Sequence, residues 1–76
     1  MDKLIGMTIS QYDGNYRLVS YKPFSNNLAN MKRVAEETGK YPAYFFFQKV
    51  LKSGKLSEKQ GFVAFIFKGT NNVIKL

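Results

Sequence analysis

The sequence predicts an α+β fold of the type ββαββ(β): an antiparallel sheet with one helix packed on one face and a long basic hairpin between strands three and four. Three observations lead there. Two strongly apolar runs, Ala43-Tyr44-Phe45-Phe46-Phe47 and Phe62-Val63-Ala64-Phe65-Ile66-Phe67, flank a segment carrying Lys49, Lys52, Lys55 and Lys59. A helical spacing of apolar residues lies before them. Turn chemistry separates the remaining alternating segments. With 76 residues, the chain reads as one small domain, 1–76.

Leu4–Gln11 alternates, with Ile5, Met7 and Ile9 on one side, and predicts a half-buried strand. Asp13-Gly14-Asn15 is turn chemistry, because these residues tolerate the positive φ of tight hairpins. Tyr16–Lys22 continues as the second strand, with Tyr12 and Tyr16 placed to stack across the turn. Pro23 ends it, having no N–H for a ladder.

Ser25-Asn26-Asn27 offers helix N-caps. Leu28, Met31, Val34/Ala35 and Thr38 then recur at helical spacing, with Lys32–Glu36 and Arg33–Glu37 at i, i+4. Gly39 suits the C′ position and Pro42 prevents continuation, so the helix spans Asn26–Thr38. Ala43–Leu51 and Gly61–Lys68 are strands three and four, with Ser53-Gly54 starting the turn between them. Both are bulky on both faces, as central strands are. Gly69-Thr70-Asn71-Asn72 is another turn, and Val73–Leu76 adds a short edge strand. One helix covers one face of such a sheet. The aromatics of the other face imply a sheet curled around its own core, a dimer interface or a platform on which bases stack.

The absence of Cys and His excludes disulfides and the usual zinc ligand sets. It also removes the common bases and nucleophiles of acyl transfer. Glu36 and Glu37 diverge around a helix and serve Lys32 and Arg33 instead. Gly54-Lys55 lacks the rest of a phosphate-binding loop. No catalytic residue, cofactor or metal is expected, and the chain reads as a non-enzyme. Stability must come from packing of a chain that is 45% hydrophobic and 16% aromatic. No secretory core and no run of ~20 apolar residues is present. Location in the cytoplasm of the producing or host cell and no membrane partner are the expectations.

Twelve Lys/Arg against five Asp/Glu leave a net charge of +7. That surplus on a short chain points to a polyanionic partner. Only two of the twelve cations, Arg17 and Arg33, are Arg. Lysine is a hydrated point charge that delivers affinity without sequence preference. The sequence therefore suggests a sequence-tolerant binder of RNA or single-stranded DNA. Lys49, Lys52, Lys55 and Lys59 contact phosphates in this reading, Lys68, Arg17 and Lys22 assist, and Tyr44 or Phe46 stacks on bases. Lys40 extends the patch.

No RNA-recognition aromatic motif or KH glycine loop is present. The architecture and composition resemble small accessory proteins of phages and mobile elements, a likeness of style that carries no residue across. The alternative function is an inhibitor or adaptor that docks on a host protein, such as a nucleic-acid enzyme, through the aromatic face or a strand edge. A homodimer burying the surplus rings fits either function.

Overall fold

The computed structural model describes residues 2–11, 13–67 and 73–76. Its five strands are β1 (Thr8–Gln11), β2 (Gly14–Pro23), β3 (Ala43–Val50), β4 (Leu56–Ile66) and β5 (Val73–Lys75). They lie in the order β1-β2-β3-β4-β5, each antiparallel to its neighbour. One α-helix, α1 (Leu28–Thr38), joins β2 to β3. The fold is thus α+β, a curled antiparallel sheet with the expected element order. Among the described residues, no helix is long and apolar enough to cross a membrane.

The curl closes around side chains from one face. Leu18, Phe45, Phe47 and Ile66 are the largest fully buried side chains, joined by Ala43, Ala64, Tyr16 and Val73. Each such large side chain stabilises the fold by about 1.5–3 kcal/mol. Phe47 stacks on Phe62 at 5.0 Å between centroids, and Tyr16 meets Phe62 edge-on at 4.8 Å. Leu4, Met7, Ile9, Tyr21 and Tyr41 complete the cover.

The helix does not supply that cover, contrary to the sequence expectation. No residue of α1 is buried, and none is among the apolar side chains packed on the core. Leu28 is 77% exposed. The helix is an excursion at one end of the sheet, closed at its base where the Phe24 N–H donates to the Pro42 carbonyl at 3.0 Å. Its local chemistry is as expected. Asn27 is the N-cap, its Oδ1 accepting from the Asn30 N–H at 3.2 Å. Gly39 follows at φ 74°, its N–H donating to the Ala35 carbonyl. Arg33 pairs with Glu37 at 3.6 Å, whereas Lys32 and Glu36 form no ion pair.

The N-terminal strand is shorter than its alternation implies. A 3-10 turn occupies Asp2–Leu4, and Gly6 adopts φ 93°, which stops an extended ladder. As a result Leu4 packs on the core and Ile5 is exposed. β1 and β2 pair up to Gln11 and Gly14, so Gly14 belongs to the strand and not to the turn. Tyr12, Lys68 and the turn expected at 69–72 lie outside the described residues.

Two register irregularities shape the sheet. Leu18 pairs with Phe47, but Ser20 pairs with Phe46, so Val19 is an extra residue in β2. This bulge turns Tyr21 and Pro23 toward the core side and sends Ser20 and Lys22 outward. A larger irregularity sits opposite Lys49, between the pairs Gln48–Gly61 and Val50–Leu56. It is closed by Ser57 Oγ, which accepts from the N–H groups of Lys59 and Gln60 at 3.2 and 3.0 Å. β4 therefore begins well before the predicted Gly61, because the bulge hides its alternation.

Candidate functional site

Residues paired directly across a sheet point to the same side. Arg17 pairs with Gln48, Ser20 with Phe46, Phe46 with Val63, Lys22 with Tyr44, and Phe65 with Ile74. All of them lie on the face opposite Leu18, Phe45, Phe47 and Ala64. This outer face carries rings. Tyr44 stacks against Phe65 at 5.5 Å, and Phe24 meets Tyr44 edge-on at 4.9 Å. Tyr44 is 40% exposed and Phe24 41%. The Lys40 ammonium sits 4.1 Å from the centre of the Phe65 ring, close enough for a cation–π attraction.

Beside the rings is an open groove of about 380 Å³, lined by Val19, Phe46, Gln48, Glu58, Gln60 and Val63 among others. Both irregularities border it. The Val19 bulge forms one wall, and the Ser57–Gln60 detour lifts Glu58, Lys59 and Gln60 onto the opposite rim. Bulges of this kind commonly re-aim side chains beside functional sites. Gly61 keeps the floor low: a Cβ there would run into the Phe47 carbonyl oxygen.

The four hairpin lysines do not occupy one position. Lys52 and Lys55 are exposed in the connection after β3, which is closed by the Leu51 N–H donating to the Lys55 carbonyl at 2.8 Å. Lys59 lines the groove on the outer face. Lys49 is half-buried, pairs with Asp13 at 3.3 Å and lies opposite Tyr16. A single four-lysine prong is therefore not formed, because the β4 detour separates Lys59 from the tip and Asp13 engages Lys49. Arg17, Lys22, Tyr44 and Phe46 do share one face. Of the other tyrosines, Tyr16 is buried, while Tyr21 and Tyr41 pack on the core.

Asp13 joins two strands. It accepts from the Tyr16 hydroxyl at 2.5 Å and from the Lys49 ammonium at 3.3 Å. These bonds, the tyrosine's first, hold its carboxyl below the ordinary 3.8. The same contact pushes the Tyr16 hydroxyl above its ordinary 10.0.

Sequence reasoning missed Phe24 and Phe65 as members of this face. Phe65 was visible only as one ring in an apolar run, and Phe24 follows a strand-ending proline with nothing to show its direction. No family model matches this chain, and no curated protein or solved structure does either.

Proposed function

We propose that this chain binds single-stranded nucleic acid, RNA or DNA, on the outer face of its sheet and with little sequence preference. The observation that carries this reading is the ring group of Phe24, Tyr44 and Phe65, the first two exposed and the third half-buried, which shares a face with Arg17, Lys22 and Phe46 in a chain of net charge +7. Rings beside cations are the combination that single strands require. Bases stack on any ring, at about 1–3 kcal/mol each, and phosphates take the charge. Tyr44 and Phe46 stand two residues apart on one strand, ~7 Å along it, a step that an extended polynucleotide can follow. Arg17, Lys22, Lys40 and Lys59 are the proposed phosphate contacts, with Lys52 and Lys55 as outlying charges. The missing His and Cys favour a binder over an enzyme.

Fluorescence anisotropy of a labelled oligonucleotide over a salt series tests this. With four cations engaged, log K should fall against log[salt] with a slope of about −3. Tyr44→Ala should weaken binding by about 1–3 kcal/mol without changing that slope, and Lys22→Ala should reduce the slope. Absence of binding at low salt would end the proposal.

A second reading is favoured by the apolar edge of the same face. Ile74 and Leu76 are exposed there, and the Leu76 N–H donates to the Val63 carbonyl, extending the β5 pairing. Such an edge suits a docking protein. A partner captured from lysate and retained after nuclease treatment would support this reading over the first.

A further inference from the structure

We infer that the groove beside Phe46 is a pocket for one base and that it selects guanine through Glu58. The inference rests on the nucleic-acid reading and replaces its sequence tolerance at one base position with a preference, leaving the other positions tolerant. The groove's volume, about 380 Å³, falls within the ~300–1,000 Å³ typical of small-ligand clefts. Phe46, Val19 and Val63 supply apolar walls, and Gln48, Glu58 and Gln60 supply a polar rim. Glu58 is exposed and lines this rim. Its carboxylate makes no ion pair or hydrogen bond among the described residues, although Lys59 is its neighbour in sequence.

A free carboxylate repels phosphate, so in a groove for nucleic acid it is a cost unless it meets hydrogen-bond donors. An ionised carboxylate only accepts. Among the four RNA bases, guanine alone presents two adjacent donors on its Watson–Crick edge, N1–H and the 2-amino group. Adenine and cytosine set one amino group beside a lone pair, and uracil sets one N–H between two carbonyls. Both guanine donors can reach the two carboxylate oxygens as charge-assisted bonds, the stronger class of hydrogen bond. The ring then lies against Phe46, and Gln48 and Gln60 have acceptors and donors for the remaining edge atoms.

The test compares three labelled strands: oligouridylate, the same strand with one central guanosine, and the same strand with inosine there, which lacks the 2-amino group. Each is titrated with the native chain and with Glu58→Gln, whose fold is checked by circular dichroism. The native chain should bind the guanosine strand about ten-fold tighter or more than plain oligouridylate, and inosine should lose most of that gain. Glu58→Gln should bind all three strands alike, at the native affinity for oligouridylate or better. Equal native binding of all three would overturn the guanine pocket and leave the broader reading standing. A guanosine preference unchanged in Glu58→Gln would remove Glu58 from the recognition. Binding of none would overturn both readings.

Discussion

Lys49 shows how one side chain changes its role once folded. In sequence it belongs to a run of lysines. In the structure its stem crosses Gly14, where an added Cβ would stand 2.9 Å from its Cε, and its ammonium reaches Asp13. Nothing local announces a partner thirty-six residues away. Two glycines make a contrasting pair of predictions. At Gly14 the obstacle is the far end of a flexible lysine, which can swing aside. At Gly61 it is the Phe47 backbone, which cannot. Gly61→Ala should therefore cost about 1–3 kcal/mol, as overpacking does, and Gly14→Ala markedly less. Denaturant melts of the two variants check this, and equal costs would contradict it.

The Asp13 carboxyl makes a prediction about pH. Its folded pKa is depressed, chiefly by the Tyr16 hydroxyl and next by Lys49. Such a group stabilises the fold above its unfolded pKa, and the contribution is lost as pH falls through the lower folded value. Asp13→Asn should be less stable than the native chain at neutral pH. The difference should shrink below the ordinary 3.8, so that the two stability curves converge in acid. A gap that stays constant through the carboxylate range would mean that the negative charge is irrelevant there.

At the level of elements, the helix was the most legible part of the chain, because its determinants are local. The cap and the terminal glycine lie within a few residues of the helix they bound and act as expected, whereas the apolar spacing marks a helix whose apolar side chains stay out of the core. Asn27→Ala removes the oxygen that satisfies the Asn30 N–H. With no helical residue buried, little packing compensates, so the variant should lose about 0.5–2 kcal/mol and its amides in the first turn should exchange faster. Unchanged exchange there would show that the cap is idle.

The bulges were illegible for the opposite reason. The phase of β2 changes at Val19 because of what β3 presents to it, and strand periodicity alone cannot register an extra residue. Likewise, the polar Ser57–Gln60 run reads as loop until Ser57 is seen closing it beside Lys49. These two irregularities border the groove of the outer face, so the cations proposed there could be named from sequence while the geometry could not.

At the scale of the molecule, the tip and the helix lie at opposite ends of β3, and the principal extents are 41 × 22 × 21 Å. The fold class and the order of elements along the chain followed from hydropathy and turns. What covers the core did not: the sheet curls over its own rings, with Leu4, Met7 and Tyr41 as lids. That arrangement leaves the helix unburied and two rings of the outer face, Phe24 and Tyr44, exposed. The expected charge concentration moves accordingly, from a single hairpin tip to a face shared by Arg17, Lys22, Lys40 and Lys59.

An NMR titration of the isotope-labelled chain with a short single strand locates binding most directly. The largest shifts are expected at Arg17, Lys22, Tyr44, Phe46, Lys59 and Phe65, with core residues Leu18 and Phe45 little moved. Shifts confined to Lys52 and Lys55 at the tip, or none at all at low salt, would contradict it.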